Sequence, residues 1–476
     1  MFALLILIPL AFAALALVTP WYQARSWLLP AAGGTHLSLA ILLCSRREPA
    51  APAGTWVGLD ALSVLVLLVT SVLFLACALY SVEYLKMRRD RGNRAIVPCL
   101  LVFLSAMTLA VTARHLGVLW IAVEATTIAS APLIYYNRNR LSIEATWKYL
   151  LICSVGIALA MLGLMFIAYA ALGGGADVSL QLDSLLAEGP TLARPWLHAG
   201  FVFLLVGFGT KMGLAPLHTW KPDAYGEASG MVGALLAGGL TSVAFLAILR
   251  GMQIMAAAGD LSMARQAMLG LGLLSLLLAA VFMVRQPDIK RMLAYSSVEH
   301  MGILAIGVGI GGLATFGTLL HLINNALTKG CLFLSAGNIQ RAFASKHLSE
   351  VRGAATALPV SGGLFLAGFL AITGSPPFGP FLSEFTILRG IFESGRMAVG
   401  VVFLLLLAMV FIGMGATVLS ATQGEPTEPD LHARDRLLLV TPPLVLLLAV
   451  LVLGLYLPAP LTRLLQEAAS LLESKP

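Results

Sequence analysis

The sequence predicts an all-α polytopic membrane protein of about 14 transmembrane helices, with two inverted five-helix repeats and two broken helices. Composition is the first observation: 59% of the 476 residues are hydrophobic and only 11% charged, with mean hydropathy +0.91, values that belong to polytopic helical membrane proteins. Apolar windows of about 20 residues, the length that crosses a bilayer, are the second. They recur near 2–18, 28–44, 57–85, 95–113, 116–136, 145–171, 199–218, 229–256, 266–286, 289–310, 312–340, 358–392, 397–420 and 437–458. The third is that two of these windows are interrupted by proline and glycine beside an ionisable residue.

No soluble domain fits between the spans, because the longest polar connections, 172–198 and 421–436, are too short for a core. The chain divides into N-terminal helices (1–94), a first repeat (95–256), a second repeat (266–420) and a last helix with its tail (437–476). Residues 2–18 lack the basic start of a cleaved signal peptide and read as an uncleaved first helix. With the amino terminus outside, inward loops collect Arg25, Lys86, Arg88, Arg89, Arg91, Arg94, Arg138, Arg140, Lys221, Arg285, Lys290, Arg291, Arg341, Lys346, Arg352, Arg434 and Arg436. Outward segments hold Arg46, Arg47, Arg114, Arg194, Arg250, Arg265, Arg396, Arg463 and Lys475. The asymmetry predicts that both termini lie outside. The net charge of +7 thus records topology and gives no support to a nucleic-acid partner. Cysteines 44, 77, 99, 153 and 331 form no cluster-ligand spacing and the eight histidines are scattered, so no iron–sulfur, haem or zinc site is expected in this chain.

The first four windows carry no lysine or arginine. The fifth carries Glu124 deep in an apolar helix, where a carboxylate takes up a proton or finds a cation. In the sixth, Lys148 follows Glu144 by four residues, the spacing of an ordinary surface pair. Lys211 lies near the middle of the seventh, where a charge costs roughly 2.5–3.5 kcal/mol on insertion scales. It opens the run Lys211-Met-Gly-Leu-Ala-Pro216-Leu-His218-Thr-Trp-Lys-Pro-Asp223, in which Pro216 breaks the helix and frees the carbonyl of Met212. Lys211 and Glu124 pair naturally, as a proton-coupled couple or as a static clamp between helices.

The eighth and ninth windows are apolar. The tenth holds Glu299 and His300, adjacent residues whose side chains point about 100° apart and need not touch. The eleventh sets His321, Asn325 and Lys329 on one face at i, i+4 and i+8, a stripe suited to a proton wire or to cementing a helix interface. The twelfth repeats the break with Pro376, Pro377 and Pro380, followed by a buried Glu384. Breaks five spans apart suggest two repeats of odd helix number, hence of opposite orientation. The thirteenth and fourteenth close the bundle.

Residues 115–395 resemble the antiporter-like membrane subunits of respiratory complex I and of Mrp sodium/proton antiporters. The resemblance rests on Glu124, the Lys211–Asp223 run, Asp288-Ile-Lys-Arg-Met-Leu-Ala-Tyr-Ser, His321 with Lys329, and Gly374-Ser-Pro-Pro-Phe-Gly-Pro-Phe-Leu-Ser-Glu384. The wording around Glu124 and His300 looks most like the F-component membrane subunits of hydrogenase-4, found in group 4 nickel–iron hydrogenases and formate hydrogenlyase. What this implies is a half-channel in each repeat, joined by a central polar line. Glu124 and Lys211 are implied as the coupled pair, Lys148 as their neighbour, Lys329 as the central relay and Glu384 as the terminal exchange site. Two departures from relatives stand out: the eighth window has no histidine or lysine, leaving Thr241 and Ser242 or water, and the long lateral helix of the largest complex I pump does not follow the last span.

The expected function is proton translocation in a complex I-related oxidoreductase assembly. The nickel–iron centre, iron–sulfur clusters or quinone would sit in partner membrane and peripheral subunits. Sodium/proton antiport by the same residues is the alternative within transport. A structural anchor, or a coupling partner for inorganic-carbon uptake, is the alternative outside it.

Overall fold

The computed structural model describes residues 2–45, 54–175, 179–426 and 434–473. Its helices are α1 (Phe2–Val18), α2 (Tyr22–Ser45), α3 (Ala61–Met87), α4 (Ile96–Thr112), α5 (Leu116–Ile134), α6 (Arg140–Gly173), α7 (Arg194–Met212), α8 (Trp220–Glu227), α9 (Gly230–Ala257) and α10 (Leu261–Met283). There follow α11 (Ile289–Ile310), α12 (Leu313–Phe343), α13 (Pro359–Ile372), α14 (Gly379–Glu393), α15 (Met397–Thr422), α16 (Leu437–Leu455) and α17 (Ala459–Ser470). Every apolar window falls on a helix or a broken helix, and nine described helices are long and apolar enough on their own to cross a membrane. Arg46, Arg47 and Lys475, three of the outward basic residues, lie outside the described residues.

Helices form here because hydrocarbon offers no partner for a backbone amide, so each span satisfies its own. They then associate through small residues that let backbones approach. Between α6 and α7 a Cβ on Gly163 would stand 2.7 Å from Gly200 O, and one on Gly207 would stand 2.5 Å from Ala160 N. The α10–α11 contact is built alike: a Cβ on Gly302 would meet Gly272 O at 2.8 Å.

At the centre, α9 and the middle of α12 are wholly buried. Residues Leu235–Leu240 of α9 adopt π-helical geometry, and there Gly238 comes so near α12 that a Cβ would lie 2.9 Å from Ala326 O. π-turns of this kind occur often at functional sites. The turn and the glycines bring two backbones together at the molecular midline.

Both predicted breaks are present. After Met212 the chain leaves the helix through Gly213 at φ 85°, a left-handed conformation glycine adopts without penalty. The helix therefore ends before Pro216 acts on it. Gly213 N and Leu214 N bond back to Gly209 O at 2.7 and 2.8 Å, and the Trp220 indole donates to Thr210 O at 2.9 Å. After Ile372 the same device recurs at Gly374, φ 67°, before α14 restarts at Gly379 with Pro380 in its first turn.

Four residues assigned to loops by sequence are buried instead. Arg25 donates to Asn93 Oδ1 at 2.8 Å and to Ala16 O at 2.9 Å. Lys290 bonds Ala228 O and, at 3.1 Å, Gln340 Oε1. Arg250 reaches from α9 to Asp60, ahead of α3, with contacts of 2.5 and 3.0 Å, and to Ser63 and Gln253. Lys221, the fourth, belongs to the site.

Candidate functional site

The site begins on α5. Thr127 lies one turn beyond Glu124 on the same face and donates its hydroxyl to Glu124 Oε2 at 3.0 Å. Lys211 Nζ, fully buried at the end of α7, donates to Thr127 Oγ1 at 2.8 Å and to Tyr149 OH at 2.6 Å, and lies 4.5 Å from the Tyr149 ring centre. The Thr127 hydroxyl is thus used in both senses: it accepts from the ammonium and donates its own proton to the carboxylate. Among the described residues no ion pair joins Glu124 to Lys211, so the expected direct pair is corrected to one bridged by Thr127. Nor is Glu124 deep. It is half-buried on the flank of the bundle, and Ser154, which donates to its other oxygen at 3.3 Å, is exposed.

Lys148 stands off this line. It is a surface residue bonded to Glu144 at 2.7 Å and Asp223 at 2.9 Å, and Asp223 also holds Arg291 at 2.6 Å. Its implied place beside Lys211 is corrected to a surface tie between α6, α8 and α11. His218 borders the break with its ring 6.4 Å from that of Tyr295, and its Nδ1 is buried without a hydrogen-bond partner.

Sequence reasoning missed Lys221. Polar neighbours placed it in a loop, but α8 folds back into the protein and buries it completely. A Cβ on Gly213 would stand 2.2 Å from Lys221 Cε, so the lysine stem fills the space that the glycine of the first break leaves. Its ammonium donates to Ser297 Oγ on α11 at 3.1 Å and feels the charge of Lys329 on α12. The signal was available: like Lys211, it sits within a few residues of a break. Thr241 and Ser242, expected to substitute for a relay on α9, spend their hydroxyls on Ala237 O and Gly238 O of their own helix.

Of the two readings of the α12 stripe, a wire along the helix is not what the hydrogen bonds form. Lys329 Nζ reaches Leu293 O on α11 at 3.5 Å, and Asn325 Oδ1 is buried without a partner, so no hydrogen bond runs from His321 through Asn325 to Lys329. The bonds cross between helices instead. His300 Nδ1 on α11 is 2.9 Å from His321 Nε2 on α12, and His321 Nδ1 is 3.0 Å from Ser383 Oγ on α14. Glu299 Oε2 lies 3.8 Å from His300 Nε2 and accepts from Ser296 Oγ at 3.3 Å, so adjacent residues thought able to diverge do meet. Glu384 closes the group: one oxygen rests against Gly374 of the second break, and the other, Oε1, has no hydrogen-bond partner.

Ligand atoms of His300, His321 and Glu384 all lie within 4.8 Å of one another. Two histidines scattered in sequence are therefore gathered in space. Taken as a whole, the arrangement runs from the half-buried Glu124 on one flank through the buried Thr127, Lys211, Lys221, Ser297, Lys329, Glu299, His300 and His321 to Glu384 at the second broken helix. Groups of this kind exchange protons or hold cations.

Residues 113–411 match the family model described as NADH:quinone oxidoreductase/Mrp antiporter, transmembrane. The chain is 32% identical to a hydrogenase-4 component F homologue of Methylacidiphilum infernorum, over 95% of each. It is 31% identical to NADH-quinone oxidoreductase subunit N of Desulforudis audaxviator, over 95% of each. A chain of respiratory complex I from Thermus thermophilus, solved with bound NADH, superposes with TM-score 0.83 at 26% identity over 99% of this chain and 100% of that one. The polar line inside the bundle is accordingly that of an antiporter-like membrane subunit, and this chain belongs to the NADH:quinone oxidoreductase/Mrp antiporter family.

Proposed function

We propose that this chain moves protons across a plasma membrane for a hydrogenase-type complex I-related assembly, driven by chemistry in partner subunits that carry the nickel–iron, iron–sulfur or quinone centres. The observation that carries the reading is the Glu124–Thr127–Lys211 arrangement: a fully buried ammonium tied through one hydroxyl to a half-buried carboxylate. A carboxylate left half-exposed at membrane depth calls for cover by another subunit. That makes Glu124 the point where a partner's movement is felt.

When Glu124 is charged, Thr127 turns its proton toward it and offers a lone pair to Lys211, which holds the ammonium in place. Drawing Glu124 away frees Thr127 and weakens that hold, so the proton on Lys211 is favoured to leave toward Lys221, Ser297 and Lys329. Onward transfer uses Glu299, His300 and His321 to reach Glu384, and the contact of Glu384 with Gly374 of the second break supports its use as the exit group. Moving one charge through 100 mV requires about 2.3 kcal/mol, within the range of a rearranged buried pair. The order of the elements supports two copies in opposite orientation, each ending in a broken helix and one more span: α4–α9 and α10–α15.

The test reconstitutes the purified complex in vesicles at low sodium and follows proton movement during turnover for wild type, Lys211→Ala and Glu384→Gln. Translocation in wild type, lost in both variants, is the expected result. Turnover with no proton movement in any of them replaces the reading with that of an anchor, and movement that depends on sodium replaces it with sodium/proton antiport.

A further inference from the structure

The cluster at α11, α12 and α14 is short of a cation. Ser383 Oγ has one proton and lies 3.0 Å from Pro380 O, to which it donates, so it accepts from His321 Nδ1–H. His321 Nε2 is then a lone pair and accepts from His300 Nδ1–H. That leaves His300 Nε2 as a lone pair as well, and this buried atom has no hydrogen-bond partner. In the same cluster are Glu384, whose Oε1 is also unpartnered, and, 3.8 Å from His300 Nε2, Glu299 Oε2. Acceptors facing one another without a donor are unfavourable when buried. A bound proton relieves this, and so does a metal ion.

We propose that His300, His321 and Glu384 form a buried site for a divalent transition metal of the Zn2+ class, whose occupancy blocks the passage from Lys329 to Glu384. Two imidazoles and a carboxylate are a donor set that suits zinc and disfavours the hard cations sodium and magnesium. The hydrogen bond from His321 Nδ1 to Ser383 is the kind of second contact that orients a metal-ligating histidine. A bound dication would displace the proton of Glu384 and draw on the Glu299 carboxyl beside His300, which offsets its charge next to Lys329. The ligand atoms span no more than 4.8 Å, and ligands around tetrahedral zinc stand about 3.3 Å apart, so the site closes by side-chain adjustment in which His300 Nδ1–H gives up its bond to His321 Nε2 and that lone pair turns to the metal. Metal binding stands on this geometry by itself; only the block rests on the proposed proton path.

Cobalt(II) is the probe. Titrated into the purified complex in lipid nanodiscs, it develops the intense visible absorption of a four- or five-coordinate ion, and added zinc removes the band. His321→Gln and Glu384→Gln lose the band, while Ser383→Ala, which removes only the orienting contact, weakens binding about 10–100-fold. Melting temperature and subunit assembly report whether each variant is intact; if one is not, His300→Gln takes its place with the same expected loss. No such absorption in wild type, or a band unchanged in the variants, overturns the site. Zinc that binds at this site yet leaves proton movement unaltered removes the block and the relay through these residues, but leaves the metal site standing.

Discussion

Replacing Thr127 by valine keeps the shape of the residue and removes the one hydroxyl that joins Lys211 to Glu124. Two contacts go: the 2.8 Å bond from the ammonium and the 3.0 Å bond to the carboxylate. Hydrogen bonds to charged groups contribute about 1.5–3 kcal/mol each. Tyr149, at 2.6 Å with its ring 4.5 Å away, keeps part of the stabilisation of Lys211, so the loss in communication between the two charges is set at one such bond. That corresponds to about a 10–100-fold change in the equilibrium that Glu124 imposes on Lys211. In vesicles, Thr127→Val is expected to lower proton movement per turnover at least about tenfold while redox turnover continues, and Thr127→Ser, which restores the hydroxyl, recovers most of it. A double-mutant cycle with Glu124→Gln then shows strong non-additivity, because Thr127 has no other route to that carboxylate. If Thr127→Val translocates like wild type while Glu124→Gln does not, the carboxylate acts by direct contact and the bridge is incidental.

Two further predictions concern the frame and the second break. Burial alone would raise the Asp60 carboxyl, but the Arg250 guanidinium overrides it and holds the group at about 2, below an unfolded value of about 3.9. Its stabilisation is therefore complete above about pH 4 and is lost as pH falls toward 2; Asp60→Asn, which strands the buried Arg250, should cost about 3 kcal/mol and abolish that part of the acid dependence in melting experiments. Gly374→Ala strains a backbone at φ 67° and drives a methyl to 2.2 Å from Glu384 Oε2. It is expected to displace Glu384 and so to reduce both proton movement and cobalt binding, whereas Gly363→Ala, where nothing lies within 4 Å, leaves both unchanged.

The spans were legible because bilayer crossing demands long apolar windows, and the breaks because proline and glycine cluster there beside an ionisable residue. Lys211 and Glu384 were legible for the same reason, as charges in apolar surroundings. Lys221 was not, since Trp220–Glu227 reads as a polar loop and only its return into the bundle buries it. Pairing was the other blind spot. Periodicity puts His321, Asn325 and Lys329 on one face, yet hydrogen bonds follow the helices that face α12, so His321 turns to His300 and Ser383. Likewise nothing in one sequence shows that Thr127 stands between two charges, or that Thr241 and Ser242 are spent on their own backbone.

The central claim is that a continuous buried line carries protons from Lys211 to Glu384, and Lys221 is the link found from structure alone. The most direct measurement is the ratio of protons moved to substrate turned over in vesicles containing the Lys221→Met complex, alongside wild type. The account predicts an assembled complex that still turns over but moves few or no protons. An unchanged ratio would contradict it, because no other buried ammonium among the described residues lies against both the first break and α11.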